Sequence, residues 1–367
     1  MFLFNPYYYN SVHLLIILVL TLFYSFRLEG RTAASVLKRN QNSVILYVYA
    51  LVFIIVVGLR PVSSAFYDTV VYAKIYEDYS EIHNMVSSSR DSLFYSFMWL
   101  CSQYMSVKWF FLIIEFLYVV PIVFGCYRIV KNNTDIALLF CFAAFSFFSY
   151  GVNGLRNGVA LSLVFLALTF IRGNNLEKIV CAILSILAIS FHASAALPVV
   201  CMLAATFIKN PRIMFIFWGL SIVVSLLAGN TVANLFAGLG FDDRLSDYIH
   251  PEVEGDLFTV TGFRWDFLLY STMPILLGWY VIFQKRVINS TYKLLLGTYI
   301  FANAFWIMVI RAEFSNRFAY LSWFLYPIVL AYPLLKLKIW PKTQGRKTAV
   351  IMAAHLAFTL FMVFVIG

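Results

Sequence analysis

The sequence predicts an all-α, polytopic integral membrane protein with about twelve transmembrane helices, and three observations carry that prediction. Of its 367 residues, 62% are hydrophobic and only 12% charged, about half the charge usual in a water-soluble domain. The mean hydropathy is +0.84. Apolar runs that can cross about 30 Å of hydrocarbon, given some tilt, recur from one end to the other. No long stretch has water-soluble composition, so 1–367 reads as a single transmembrane domain.

The first run, 11–26, follows Met1 to Asn10, which carry no positive charge, and closes without a small-residue cleavage site. It is therefore expected to stay in the mature protein as a span. Arg27, Arg31, Lys38 and Arg39 separate it from the run at 43–59. A long polar segment, 60–107, follows; within it Leu93 to Met105 is amphipathic and reads as a short interfacial or re-entrant helix. The runs 108–130, 135–150, 156–171, 176–191, 193–208 and 212–228 come next, joined by short turns. A second long polar segment covers 229–264, and the spans 265–284, 292–310, 317–335 and 348–366 complete the chain. Both long polar segments are expected on the outer side.

Orientation follows from Lys and Arg near the span ends, because basic loops stay in the cytoplasm. Alternate loops hold eighteen of the 27 basic residues, including Arg128, Lys131, Arg172, Lys178, Lys285, Arg286, Lys342 and Lys347, and these are placed inside. The other side holds Lys74, Lys108 and seven arginines: Arg60, Arg90, Arg156, Arg244, Arg264, Arg311 and Arg317. The net charge of +10 thus reads as anchoring to anionic lipid, with membrane lipid as a partner and no nucleic acid.

Arginine outnumbers lysine seven to two on the outer side, against eight to ten inside. A planar guanidinium matches phosphate oxygens and stays charged in a half-dry cavity, so this bias suits an external diphosphate site. Snorkelling at the interface is the plainer account of any one of them.

Three constellations concentrate the chemistry. Arg156 opens one span and His192 closes the next, so a helical hairpin presents a cation and an imidazole at similar depth; the alternative is that Gly154, Asn157 and Gly158 only permit close packing. Arg60 is followed by Tyr67, Asp68, Tyr72 and Tyr76, phenols and a carboxylate that suit sugar hydroxyls, with Asp68 able to take a proton from an acceptor. An interfacial aromatic belt accounts for the same tyrosines. Arg311, Glu313, Arg317 and Tyr320 sit at a turn between two late spans, where Arg317 and Tyr320 share a helix face. Arg244 and Arg264 are secondary candidates for substrate binding, and Arg90 is read as a bystander.

Several classes are excluded. The chain has no phosphate-cradling glycine loop, nucleophile elbow or paired His or Cys with metal-ligand spacing. Its five cysteines read as small hydrophobes. Glu115 is the one carboxylate set firmly within a span, which argues against a proton-relay chain.

Taken in order, Arg60 with Tyr67, Asp68 and Tyr72, then Leu155-Arg156-Asn157-Gly158-Val159-Ala160, Phe191-His192-Ala193-Ser194 and Arg317-Phe318-Ala319-Tyr320 resemble the EpsG family, grouped with Wzy-type polymerases of bacterial surface polysaccharides. The likeness covers about 40–335, and Asn157 stands where the family usually has glutamine. It implies a GT-C-like fold of the O-antigen polymerase and ligase type. It also implies an inverting glycosyltransferase of the bacterial inner membrane, working at the periplasmic or outer face. The expected substrates are undecaprenyl-diphosphate-linked oligosaccharide repeat units, with a chain-length regulator as a further partner and no cofactor or metal. Under that likeness Arg60, Arg156, Arg311, Arg317, Tyr67, Tyr72, Tyr320 and Asn157 bind diphosphate or glycan, with Arg244 and Arg264 assisting. His192 or Asp68 then deprotonates the acceptor. Two other readings stay open: an O-antigen ligase, and a flippase for lipid-linked oligosaccharide. A flippase should show internal repeat symmetry and charge along a transbilayer path, and the sequence shows neither.

Overall fold

A computed structural model describes residues 5–39, 42–82, 90–238, 263–311 and 315–366, and among these there are helices and no strand. The helices are α1 Tyr9–Leu28, α2 Ala33–Leu37, α3 Ile45–Gly58, α4 Tyr67–Ser80, α5 Ser92–Ser102, α6 Val107–Val130, α7 Thr134–Phe142, α8 Phe145–Val152, α9 Leu155–Leu168, α10 Asn175–Phe191 and α11 Ala196–Phe207. They continue as α12 Pro211–Gly238, α13 Trp265–Trp279, α14 Ser290–Met308, α15 Ser315–Trp323, α16 Tyr326–Lys336 and α17 Gln344–Phe361.

Each apolar run of the sequence has a helical counterpart, but the count of spans differs. Among the described residues, six helical stretches are long and apolar enough to cross a membrane, or seven if the bent pair α7 and α8 is one span. The reason is geometric. At 1.5 Å rise per residue the 14 residues of α3 or of α9 extend about 21 Å, short of the hydrocarbon thickness. The run expected at 135–150 is broken instead of continuous, turning by 73° between Phe142 and Phe145. The segment 60–107 is structured at α4 and α5, the latter close to the short helix expected there.

The chain divides into two compact units, Met1–Ala195 with Leu330–Gly367, and Ala196–Val329. In the first, α6 packs against α3 and α9, α9 against α10, and α1 against α17. The break between α7 and α8 leaves carbonyls without helical donors. Side chains from both ends of the chain satisfy them: His13 Nε2 meets the Phe142 carbonyl at 3.0 Å, His355 Nε2 meets that of Phe140 at 3.0 Å, and Thr359 Oγ1 donates to Ala143 at 2.8 Å. His13 also bonds the Tyr49 hydroxyl, fixing α1 to α3. Gly158 lets α9 close on α8, since a Cβ there would lie 2.9 Å from the Tyr150 carbonyl oxygen.

Ion pairs of the first unit join residues that the charge count assigns to the same side. Arg39 grips Asp135 with both Nη atoms, at 2.7 and 2.6 Å, and Arg128 pairs with Glu177. The outer set has its own pairs, described below.

In the second unit α14 is the central helix, carrying buried residues along nearly its whole length, with α11, α12 and α15 packed on it. Trp218 donates to Asn303 Oδ1 at 2.9 Å and Asn303 Nδ2 to Ser322 Oγ at 3.2 Å, while Trp323 donates to Ser271 Oγ at 2.7 Å. These bonds satisfy polar groups that would otherwise be costly to bury in a membrane-embedded core.

Candidate functional site

The hairpin of α9 and α10 brings its two polar ends to one point in the first unit. Arg156 stands in the first turn of α9, after Asn153 and Gly154 both return their N–H groups to the Ser149 carbonyl and turn the chain out of α8. His192 closes α10 with an extended backbone, φ −153° and ψ 114°, and hands the chain to a short 3₁₀ turn, Ala193–Ala195.

Between them lies Asp91, from the long polar segment 60–107. Its Oδ2 is 2.5 Å from Arg156 Nη1 and 3.1 Å from His192 Nδ1, and its Oδ1 accepts the Ala193 N–H at 2.8 Å. Asp91 precedes α5 with φ 50° and ψ 36°, in the left-handed region, and its side chain makes no capping bond to α5. A non-glycine residue held there is a mark of constraint. Its carboxylate serves the hairpin across the gap and not its own helix. Burial alone would raise the Asp91 carboxyl, but the hydrogen bond and charge of His192, the Arg156 guanidinium and the Ala193 N–H outweigh it and hold the group below the usual carboxylate range.

Two phenols complete the ring around Arg156. Its Nε donates to Tyr72 Oη at 3.0 Å and its Nη1 to Tyr95 Oη at 3.2 Å. Tyr72 comes from α4 and is buried, and that burial pushes its phenol up against the pull of Arg156. Beneath the cluster Phe94 is fully buried, 5.4 Å from the Tyr72 ring and 5.6 Å from that of Phe191. This packing fixes α5, and with it Asp91, against α4 and α10. Arg156 Nη2 has no hydrogen bond among the described residues, and the Arg156 and His192 side chains keep 12% and 20% of their surface exposed.

The remaining candidates fall elsewhere. Arg60, expected at the outer exit of a span as a diphosphate or glycan ligand, is fully buried, and its donors go to Thr69 Oγ1 at 3.1 and 3.0 Å and to the Val57 and Val152 carbonyls at 2.9 and 3.4 Å. Asp68 is half-buried on the first turn of α4, in electrostatic range of Tyr72, and Tyr67 beside it is exposed. Asn157 is half-buried, its Oδ1 without a partner among the described residues.

In the second unit Arg311 and Arg317 are exposed, the former running past Gly229, where a Cβ would sit 3.2 Å from its Cδ and Nε. Tyr320 is half-buried, 5.6 Å from the Trp323 ring. Arg264 forms a two-pronged pair with Asp266 at 2.9 and 2.6 Å and lies 3.7 Å over the Phe267 ring. Arg244 and Glu313 lie outside the described residues. No group of three or more metal-ligating side chains gathers among the described residues.

A carboxylate that bridges an imidazole and a guanidinium can do two things at once. It fixes the Nδ1–H tautomer of His192, leaving Nε2 as a proton acceptor, and it holds a cation nearby for an anionic leaving group. A family model described as the EpsG family matches residues 43–367. No curated protein and no solved structure matches the chain.

Proposed function

The chain belongs to the EpsG family of membrane glycosyltransferases of polysaccharide biosynthesis, and from that premise we propose that it is a Wzy-type polymerase working on lipid-linked repeat units. The observation that carries the reading is the shared Asp91 carboxylate, within 2.5 Å of Arg156 and 3.1 Å of His192. The donor is a growing glycan on undecaprenyl diphosphate; the acceptor is the distal sugar of another lipid-linked unit, at the outer face of the bacterial inner membrane.

His192 Nε2 takes the proton of the acceptor hydroxyl as that oxygen bonds the anomeric carbon of the donor. The bond from that carbon to the diphosphate oxygen breaks, and its electron pair leaves with the diphosphate. A single displacement of this kind inverts the anomeric centre. Arg156 offsets the charge gathering on the leaving group, and a fixed cation in a water-poor site is far more effective there than in bulk water. Asp91 is the positioning residue for both. Tyr72, Tyr67 and Asn157 supply polar contacts for sugar, and Asp68 is the second candidate base. Within the second unit taken by itself, Arg311 and Arg317 are proposed as anion-binding side chains, whereas Arg264 is committed to Asp266.

Products from a strain lacking the protein test the reading against its rivals. Loss of the polymerase leaves acceptors capped with single repeat units. Lipid-bound polymer that never reaches its acceptor would instead indicate a ligase, and repeat units stranded on the cytoplasmic leaflet a flippase.

A further inference from the structure

Arg60 and Glu115 are a basic and an acidic residue buried in the first unit, both fully inaccessible. Among the described residues Arg60 donates hydrogen bonds to neutral acceptors: the Val57 and Val152 carbonyls and Thr69 Oγ1. Its guanidinium lies 4.8 Å from the centre of the Phe111 ring, one turn of α6 before Glu115, so α6 turns an aromatic face and a carboxylate toward the same cation. Glu115 interacts with Arg60 electrostatically, yet neither of its oxygens has a hydrogen-bond partner among the described residues. A buried charge without compensation is expensive, and the attraction between these two offsets part of that cost.

Both act on the same stretch of backbone. Glu115 Oε1 fills the space at Gly151, where a Cβ would come within 2.7 Å of it. The next residue, Val152, closes α8, and its carbonyl accepts Thr69 Oγ1 at 3.0 Å and Arg60 Nη2 at 3.4 Å. The turn of Asn153 and Gly154 follows, and then Arg156. One side chain thus presses on the peptide before the turn while the other grips its carbonyl.

We propose that Arg60 and Glu115 are a buried charge pair that positions the Gly151–Arg156 turn, so that Arg60 sets the reach of Arg156 toward the leaving group and does not bind the diphosphate itself. The inference rests on the polymerase reading for what Arg156 does, but the fixing of the turn stands apart from it.

The test uses the full-length protein in lipid nanodiscs, as Glu115→Gln and as the doubly neutral Arg60→Met with Glu115→Gln. Two quantities are read: turnover of purified lipid-linked repeat unit, split into kcat and KM, and hydrogen exchange at the amides of 152–158. Glu115→Gln keeps the shape and removes the charge. It is expected to lower kcat about tenfold with KM within about twofold, because misplacing a group that acts in the transition state leaves ground-state binding intact. Exchange at the turn should speed up.

The double variant removes the uncompensated charge and should restore membrane level and thermal stability, yet leave kcat down and exchange fast, since the grip on Val152 is gone. Return of kcat and slow exchange in the double variant would overturn the proposal, leaving the pair a structural element only. So would a Glu115→Gln protein with wild-type kcat and exchange, or a loss confined to KM, which would make Arg60 a ligand. If the wild type makes no polymer, the polymerase reading fails while the exchange measurement still decides the positioning of the turn.

Discussion

At the scale of single residues, one carboxylate holds a guanidinium and an imidazole together. Arg156 gives one donor to Asp91 and others to the Tyr72 and Tyr95 hydroxyls, a fan of directions that a lysine ammonium on a flexible stem does not reproduce. Arg156→Lys is therefore expected to lower kcat by about 10²-fold at normal membrane level, the usual cost of removing one charge-stabilising donor. His192→Ala should cost about 10²–10⁴-fold, the range for a general base; polymer yield on a gel with purified enzyme checks both. Asp91 also makes a pH prediction. Its carboxyl is held below its ordinary value in the folded protein, so its contribution to stability is full above the unfolded-state value and is lost as pH falls through the folded one. Thermal unfolding of the wild type and Asp91→Asn should differ at neutral pH and converge in acid; a constant gap would contradict the ion-pair assignment. Arg156 and His192 were legible in the sequence because each ends a span and breaks an apolar run. Asp91 was not. A residue before a helix reads as an N-cap, and nothing in Ser-Ser-Arg-Asp-Ser signals that a left-handed backbone turns its carboxylate toward the hairpin.

Elements are what carry these residues to one place. The packing of Phe94 against Tyr72, Phe110 and Phe191 ties α5 to α4, α6 and α10. Phe94→Ala should destabilise the unit by about 3–5 kcal/mol and lower activity beyond what stability explains, because Asp91 is then freed from Arg156; a melting curve beside an activity assay separates the two effects. The helical character of each run was legible from its apolar length. The break at Phe142–Phe145 was not, since 136–150 carries no proline or charge to announce it. The donors that make the break tolerable, His13, His355 and Thr359, lie more than a hundred residues away in the chain. Such satisfaction at a distance is a property of the packed unit and leaves no local trace. The exact number of spans is less legible for a related reason: apolar composition marks burial in protein as well as in lipid, and α14, at the centre of its unit, is buried along nearly its whole length.

For the whole molecule the proposal, argued from the charge count, is that the basic loops face the cytoplasm and the Asp91 cluster the outer side. With the native cysteines removed, Tyr67→Cys should react with an impermeant maleimide added outside intact cells, and Lys342→Cys only after permeabilisation, both parent side chains being exposed; the reverse pattern would invert the topology. The central claim, that this chain alone joins lipid-linked repeat units and does so through Arg156 and His192, is tested most directly by reconstitution with the purified lipid-linked repeat unit and no other protein. The account predicts a ladder of lipid-linked polymer from the wild type and single units only from Arg156→Ala and His192→Ala at equal protein level. A ladder undiminished in both variants, or none from the wild type on a substrate proven competent with another polymerase, would contradict it.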